Sequence, residues 1–457
     1  RALYVIWLAL LSVSWAVAEP VTARFAAERQ IDVLHYRLEL VPDLAKHSIT
    51  GKVLIKLKPY VLEISDLELD CGDLKIQSFT RHGSTGPSVK SYSRSGTKLR
   101  IKLASELKRH QEMQLTVRYS GTPSTGLYFT GINDARAGRY PQIWTQGQPN
   151  DNQYWFPLSD RPDDKATSDV LVTVPNDLIV VANGKLVDVV KSKSTSTWHW
   201  RQFKAHAPYL ISFVAGELLE ASTGTASGIP INYYGFPGDR EILQHSFSVT
   251  PAALEFFATW LDSTYPWDKY SQVLVQDFIP AGMENTSVSN IARWLSHPPT
   301  LSATRLERTT NIVAHDIVHQ WLGNLVTAKD WSNIWLNEGF ASYLTALFLR
   351  KQFGEDAYAA ELYRMAEEYY GGHGSGDQQA LVMHYYAEAW ETFESSSTYN
   401  KGAWLLRSLN HYLGDTLFQR GVREFVERYA FGAADSSDLH SIFERISKRD
   451  LDWFFET

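Results

Sequence analysis

The period of the hydrophobic pattern changes near residue 215, and this change restricts the folds open to the chain more than any other feature. Before it, apolar and polar residues alternate in short runs, at 33–41, 51–58, 99–103, 113–119 and 169–174. Alternation with a period of two, interrupted by turn residues, is typical of half-buried antiparallel strands. The first part of the chain is therefore predicted to be an all-β domain.

After residue 215, apolar residues recur three and four positions apart, which is the spacing of one face of an α-helix. The pattern predicts a mostly helical part that begins with two strands, at 230–234 and 272–276. The predicted helices lie at 251–261, 303–325, 338–353, 357–370, 401–413 and 416–429. The sequence thus indicates a multidomain α+β protein, with a β domain at 19–214 followed by a second domain at 215–457.

Length and charge narrow the function classes. The chain has 457 residues, too many for one ordinary core, and a net charge of −7 with no basic stripe. Nucleic acid is therefore not expected as a partner. The single cysteine, Cys71, has no partner for an intrachain disulfide and is expected to be a buried thiol.

Residues 4–18 form a short apolar run after Arg1, and small residues at 16–18 precede Glu19 and Pro20. This arrangement is typical of a signal peptide at 1–18, and the run is too short for a comfortable membrane span. We expect a secreted or periplasmic protein with no stable membrane span after cleavage. An uncleaved membrane anchor and a buried strand are the alternatives. Because there is no initiator methionine, we expect the natural chain to begin earlier.

His315, His319 and Glu338 have the spacing of a metal site. Two histidines four residues apart on a helix point in the same direction, because residues i and i+4 lie on successive turns. Glu338 follows after eighteen intervening residues and can come from a second helix. Three protein ligands with a fourth position left open are usual for catalytic zinc. We expect one Zn²⁺ per chain, although ligand type and number alone also permit another divalent ion.

Asp316 occupies the position where zinc peptidases with a His-x-x-x-His helix carry a glutamate as general base. Aspartate has the same charge and a similar intrinsic pKa, but its side chain is one methylene shorter. Its carboxylate would fall roughly 1 Å short, and a misplacement of about 1 Å can cost on the order of 100-fold in rate. A bridging water would recover part of that loss. The residues thus predict zinc binding, but not full catalytic power.

Two further clusters carry candidate polar groups. In 279–285, glycine would let the backbone approach a ligand closely, and Glu284 could pair with a cation, whereas a polar turn is the alternative. In 398–402, the hydroxyl of Tyr399 could donate a hydrogen bond to an oxyanion near zinc, whereas an ordinary buried tyrosine is the alternative. Neither cluster decides the function by itself.

Together, these clusters resemble the aminopeptidase N-like family of zinc metallopeptidases, the gluzincins with a Gly-x-Met-Glu-Asn segment and a His-Glu-x-x-His site completed by a distant glutamate. The resemblance extends from the β domain to residue 457, and its segments are highly specific in this combination and order. They are Phe-Pro-Leu-Ser-Asp-Arg-Pro-Asp-Asp-Lys-Ala-Thr at 156–167, Ala-Gly-Met-Glu-Asn at 281–285, His-Asp-Ile-Val-His-Gln-Trp-Leu-Gly-Asn-Leu-Val-Thr at 315–327, Trp-Leu-Asn-Glu-Gly-Phe-Ala at 335–341 and Tyr-Asn-Lys-Gly at 399–402.

The resemblance implies a role for each matching residue. His315, His319 and Glu338 would bind zinc. Glu284 would hold the free α-amino group of a peptide, which sets a cut one residue from the end. Gln148 occupies the position that serves the same amine in the family.

The resemblance also assigns the reacting groups. Asp316 stands where the family's glutamate takes a proton from water and later gives one to the leaving amine, and Tyr399 would stabilise the tetrahedral oxyanion. Ala281 and Gly282 would line the bound peptide with their backbone, and Met283 belongs to the same substrate-binding stretch.

The family's fold and activity give the expectations for the whole chain. They imply a saddle-like N-terminal β domain, a thermolysin-like catalytic domain, and a C-terminal helical region that is missing from this sequence. We expect a zinc aminopeptidase that acts on peptides with a free N-terminus and is impaired by Asp316. A catalytically weak, zinc-bound peptide-binding protein is the alternative. Epoxide hydrolysis, also found in the family, rests on analogy alone.

Overall fold

The computed structural model describes residues 28–82, 86–132, 134, 136, 138–300, 303–372, 379–394 and 396–455. Its first part consists mainly of strands, as predicted, and burial alternates along them because every second side chain faces the core. The strands are β1 (Ile31–Asp43), β2 (Ser48–Pro59), β3 (Glu63–Asp70), β4 (Lys75–Arg81), β5 (Val89–Ser95), β6 (Lys98–Lys108), β7 (Met113–Gly121), β8 (Leu127–Thr130), β9 (Gln142–Thr145), β10 (Ala166–Pro175), β11 (Ile179–Ala182), β12 (Lys185–Lys191), β13 (Thr195–His206) and β14 (Phe213–Gly216). The predicted signal peptide at 1–18 lies outside the described residues and stays a prediction.

These strands form a large sheet of order β12-β13-β10-β1-β2-β7-β4 and smaller sheets of order β11-β14-β9-β8 and β3-β6-β5. Neighbouring strands are antiparallel, with one exception in the large sheet. There, β1 and β10 pair in parallel from His35 and Thr167 to Leu40 and Val172. A tight turn forces two strands to be antiparallel, but the long stretch of chain between β1 and β10 does not.

The second part contains a further sheet and most of the helices. Its strands are β15 (Leu219–Ala226), β16 (Ile229–Gly235), β17 (Tyr270–Val275), β18 (Gly282–Met283), β19 (Val288–Ala292), β20 (Thr327–Ala328) and β21 (Ala433–Ala434). Its helices are α1 (Arg240–Ser246), α2 (Thr250–Leu261), α3 (Ala303–His319), α4 (Trp335–Phe353), α5 (Glu355–Gly372), α6 (Glu391–Glu394), α7 (Gly402–Leu413), α8 (Asp415–Tyr429), α9 (Ser436–Ser447) and α10 (Asp452–Phe455). A β-rich part is thus followed by a mostly helical one, as the sequence predicts.

Helix α3 ends at His319, six residues earlier than the apolar pattern predicts. Beyond it the chain turns, and the amide of Asn324 donates back to the carbonyl of His319 at 2.9 Å. Gly323 has a φ of 134°, which a helix does not allow. Trp321 and Leu322 remain buried in this turn, so the apolar periodicity continues past the end of the helix.

The β-rich part has its own apolar core, in which Cys71 is a buried free thiol. A second core joins the sheet of β15–β19 to the helices. Trp144, Tyr209 and Val214, which precede residue 215, belong to this second core. The predicted domain boundary at 214/215 stays a prediction, and side chains from both sides of it share one core. In the described part of the chain, no helix combines the length and the hydropathy that crossing a membrane requires.

Candidate metal centre

The structure brings His315, His319 and Glu338 together. The Nε2 atoms of the two histidines are 3.0 Å apart, and they lie 3.4 and 3.3 Å from Oε2 of Glu338. Ligands that bind one tetrahedral zinc at 2.0–2.1 Å are about 3.3 Å from one another. The three donor atoms therefore have the spacing that a single zinc ion requires.

Helix packing fixes the orientation of these ligands. Glu338 lies in the first turn of α4, whose residues from Trp335 to Ala346 are all buried. The Nδ1 of His319 lies 3.0 Å from the carbonyl oxygen of Leu322. A carbonyl oxygen only accepts, so Nδ1 carries the proton and Nε2 presents its lone pair to the cluster. This is the tautomer that a metal ligand needs.

Three carboxylates are buried around the cluster, with Glu284 4%, Asp316 3% and Glu338 2% exposed. Burial raises the pKa of Glu284 and of Asp316, and at Asp316 the charge of Glu284 adds to the effect. Burial also acts to raise the pKa of Glu338, but the charge of His319 and hydrogen bonds from both histidines lower it to about 2. So much negative charge in a buried space favours a bound cation.

Asp316 faces the glycine of the 281–285 segment. A Cβ placed on Gly282 would lie 2.6 Å from Oδ2 of Asp316, so the two are in direct contact. Oδ2 has no hydrogen-bond partner among the described residues. Asp316 therefore offers one free carboxylate oxygen beside the backbone of β18.

Glu284 and Gln148 also come together, as the resemblance implies. Nε2 of Gln148 donates to Oε1 of Glu284 at 3.4 Å. The backbone carbonyl of Glu284 accepts from Nε2 of Gln320 at 3.1 Å and from Nδ2 of Asn324 at 2.8 Å. Glu284 is thus fixed by the turn that follows the second histidine.

The stretch from Ala281 to Met283 lies at an edge of the sheet. Its strand β18 pairs antiparallel with β19 and comes last in the order β15-β16-β17-β19-β18. The carbonyl of Ala281 accepts from the amide of Ala292, and Sδ of Met283 lies 3.1 Å from Nε2 of Gln146. One side of β18 has no strand partner in the described part of the chain, which is the geometry that an extended peptide can use.

Tyr399 lies in a π-helical turn, Ser397–Lys401, immediately before α7. Its ring centroid is 6.3 Å from that of His315. Burial raises the pKa of Tyr399 well above its usual value, and the charges of Glu338 and Glu284 add to this effect, so its hydroxyl stays a proton donor. Beside Tyr399 and His315 lies a cavity of about 370 Å³.

A contact between two glycines allows this approach. The Cα of Gly339, next to Glu338, lies against Gly402, and a Cβ on Gly402 would be 3.1 Å from it. Helices α4 and α7 therefore meet backbone to backbone. This contact places Tyr399 beside the end of α4 that carries Glu338.

Sequence reasoning assigned no roles to the residues that support the site from behind. Gln320, Leu322 and Asn324 directly follow the second histidine, so their position in the chain was a usable signal. Lys165, from the start of β10, donates to the carbonyls of Asn324 and Leu325 at 3.0 and 2.9 Å. More than 150 residues separate these partners, and only the fold brings them together.

The fold and the donor set define a two-part metallopeptidase, in which a β-rich part precedes a catalytic part with a His-His-Glu centre. Comparison with known families agrees. Residues 33–210 match the peptidase M1 N-terminal domain, and residues 245–457 match the peptidase family M1 domain. The chain therefore belongs to the aminopeptidase N-like M1 family of metallopeptidases.

Its curated relatives are aminopeptidases. The chain is 29% identical over 437 residues to a puromycin-sensitive aminopeptidase of Caenorhabditis elegans, which covers 91% of this chain and 45% of that protein. It is 30% identical over 303 residues to an aminopeptidase N of Canis lupus familiaris, which covers 63% of this chain and 31% of that protein. It is 25% identical over 450 residues to a glutamyl aminopeptidase of Homo sapiens, which covers 92% and 45%. The chain spans about half the length of most of the curated relatives it matches.

Proposed function

We propose that this chain acts as a zinc-dependent aminopeptidase, which removes N-terminal residues from peptides with a free α-amino group. The observation that carries the proposal is the buried carboxylate of Glu284, whose charge acts on His319 although Glu284 is not one of the three clustered ligands. A buried anion beside a metal centre attracts a cationic group, and the α-ammonium of a peptide is such a group.

Each candidate residue has a distinct task in this proposal. His315, His319 and Glu338 would hold zinc, which when bound supplies Lewis-acid polarisation of the scissile carbonyl and lowers the pKa of water. Glu284 and Gln148 hold the substrate amine, which fixes the distance from the N-terminus to the cut.

The backbone of Ala281, Gly282 and Met283 lines the peptide along the free edge of β18, as its pairing with β19 alone supports. Tyr399 donates a hydrogen bond to the oxygen on which charge develops. The cavity beside Tyr399 and His315 is not lined by Glu284 or Gln148, which supports its use by the part of the peptide that leaves.

Asp316 takes up the proton from water and returns it to the leaving amine. Burial raises the pKa of its carboxyl, as suits a group that both accepts and donates a proton. Its side chain is one methylene shorter than the family's glutamate, so we propose that its activity is reduced on the order of 100-fold.

A second candidate function follows from the same residue. If Asp316 cannot reach the reacting water, the chain would bind zinc and peptides without cutting them. Secretion to an extracellular or periplasmic space remains part of the proposal and depends on the signal peptide at 1–18.

The proposal is tested with a peptide that has a free N-terminus and its N-acetylated counterpart, using the full-length natural protein. We expect release of the first residue from the free peptide alone, loss of activity on treatment with a chelator, and recovery on addition of zinc. Equal cleavage of the two peptides would rule out an aminopeptidase.

A matched variant tests the amine site. Glu284→Gln keeps the size of the side chain but removes its charge. We expect KM for the free peptide to rise about tenfold or more, since removing a charge partner costs on the order of 1.5–3 kcal/mol. An unchanged KM would contradict the assignment of Glu284.

A further inference from the structure

The turn formed by residues 320–326, called the post-histidine loop below, contacts two parts of the candidate centre. Its Leu322 carbonyl lies 3.0 Å from Nδ1 of His319, and its Asn324 amide donates to the carbonyl of His319 at 2.9 Å. The side chain of Asn324 donates to the carbonyl of Glu284 at 2.8 Å. A shift of this loop would therefore move a metal-ligand candidate and the amine-binding candidate together.

Lys165 holds the outer side of this loop. Its Nζ donates to the carbonyls of Asn324 and Leu325 at 3.0 and 2.9 Å. The side chain is partly buried, and among the described residues it has no carboxylate within salt-bridge distance. Its charge is therefore directed at two backbone oxygens of the loop.

The loop has few other ways to fix these two oxygens. The carbonyl of Asn324 receives only a longer contact, 3.4 Å, from the hydroxyl of Thr327. No other hydrogen bond to the carbonyl of Leu325 is found in the described part of the chain. A buried carbonyl that loses its donor turns towards another partner, and the peptide planes on either side turn with it.

We propose that Lys165 is a positioning residue, through which the β-rich part of the chain sets the post-histidine loop and thereby the geometry of His319 and Glu284. The inference rests on the proposed function for its kinetic consequences, but its consequence for metal affinity does not depend on peptidase activity. Lys165 touches neither metal nor substrate and acts only through Asn324 and Leu325.

The test is Lys165→Met in the full-length protein, with the zinc dissociation constant measured by chelator competition. Methionine matches the length of lysine but offers no donor. We expect zinc affinity to fall about tenfold, the lower end of the range for losing support behind a metal ligand. We also expect faster hydrogen exchange at the amides of Gly323 and Asn324, whose bonds close the loop.

Lys204→Met is the matched control. Lys204, in β13, also donates to a backbone carbonyl in the second part of the chain, that of Pro266, which lies outside the loop. We expect its zinc affinity and loop exchange to stay within about twofold of the unaltered protein, because a lost lysine–carbonyl contact elsewhere does not reach His319. An equal loss of zinc affinity in both variants would mean that Lys165 contributes only to stability.

Kinetics separate this inference from the proposed function. If the protein is an aminopeptidase, Lys165→Met should raise KM as well as lower zinc affinity, and Lys165→Arg, which keeps donors, should recover both in part. If no peptidase activity is found while zinc affinity and loop exchange change, the proposed function fails and the role of Lys165 stands. Zinc affinity and exchange within twofold of the unaltered protein would overturn the role of Lys165. Lys165→Gln, which is polar but too short to span both carbonyls, gives the same readouts should the methionine variant not fold.

Discussion

At the scale of single residues, position 316 decides how much of the chemistry this chain can perform. Its carboxylate is buried, lies against Gly282 and leaves Oδ2 without a hydrogen-bond partner among the described residues. A free, buried carboxylate oxygen is what a proton-transfer group requires. What an aspartate lacks here is reach, because its carboxylate is closer to the backbone of α3 than that of a glutamate.

We therefore predict that Asp316→Glu raises kcat on the order of 100-fold, while KM and zinc affinity stay within about threefold. Asp316→Asn is the matched control, because it keeps the size but removes the proton acceptor, and it should abolish turnover. Steady-state kinetics with an unblocked peptide measure both. A glutamate variant no faster than the unaltered protein would show that reach does not limit the rate.

Gly323 offers a second prediction at this scale. A Cβ at Gly323 would lie 2.8 Å from Nδ1 of His319, and its φ of 134° suits only glycine. We expect Gly323→Ala to turn the His319 ring away from the Leu322 carbonyl and to weaken zinc binding about tenfold or more. Chelator competition measures this change.

The control for that experiment is Gly354→Ala. Gly354 also has a positive φ, 96°, but nothing lies within 4 Å of a Cβ placed there. Both variants bear backbone strain on the order of 1 kcal/mol. Only the one at position 323 should lose zinc affinity, and an equal loss in both would assign the effect to strain alone.

The sequence predicts some of these residues and not others, for a physical reason. The spacing of His315, His319 and Glu338 is a property of helices, so it can be read from the chain, and the structure brings the three together. Leu322 and Lys165 act on or through backbone carbonyls, which every residue has. Such contacts leave no signature in residue type.

At the scale of elements, the site depends on how closely α4 and α7 approach each other. Gly339 and Gly402 meet at the crossing, each beside a candidate functional residue or the π-helical turn that carries one. A short π-helical segment is often found at functional sites, because it redirects a side chain within a helix. The contact lets Tyr399 come near His315 without a loop between them.

We predict that Gly402→Ala destabilises the chain by about 1–3 kcal/mol, since its Cβ would press on the Cα of Gly339. The helices would separate, and Tyr399 would move away from the centre. We expect kcat to fall more than KM rises, because an oxyanion donor acts mainly in the transition state. Urea unfolding and steady-state kinetics together measure this pattern.

Gly371→Ala is the comparison for that variant. Gly371 lies in α5 with nothing within 4 Å of a Cβ, so alanine there should be neutral or stabilising by about 0.5–1 kcal/mol. A Gly402→Ala variant as stable as Gly371→Ala would contradict the close helix contact.

The same scale shows where periodicity is a reliable guide. The alternating runs at 33–41 and 51–58 became β1 and β2 because one face of each is buried over its whole length. The end of α3 was predicted too late because Trp321 and Leu322 are buried in a turn, where apolar spacing no longer reports on the backbone. The parallel pairing of β1 with β10 joins distant segments, and no local pattern encodes it.

At the scale of the whole molecule, the β-rich and helical parts are joined by buried polar contacts. The side chain of Asn183 donates to the carbonyl of Thr286 at 2.7 Å, and the amide of Gly184 donates to the hydroxyl of Ser287 at 2.8 Å. Gln142 donates to the carbonyl of Leu274 at 2.9 Å. Since these bonds hold the strands on either side of Glu284, we expect the metal centre to be no more stable than the contact between the two parts.

This argument predicts that the two parts unfold together. Cys71 is the only cysteine of the chain, and it is 0% exposed in the core of the β-rich part, whereas bound zinc would report on the helical part. In a urea titration of the 457-residue chain, we expect Cys71 to become reactive towards a thiol reagent at the same urea concentration at which zinc is released.

Asn183→Leu makes that prediction sharper. Leucine leaves the carbonyls of Thr286 and Leu210 without their donor, at a cost of about 1–3 kcal/mol for each buried group. Both midpoints should therefore fall together, whereas Asn176→Leu, at an exposed site that bonds only within the β-rich part, should move neither by much. Release of zinc well below the urea concentration that exposes Cys71 would mean that the helical part opens alone, and the β-rich part would then be a neighbour of the metal centre and not one of its supports.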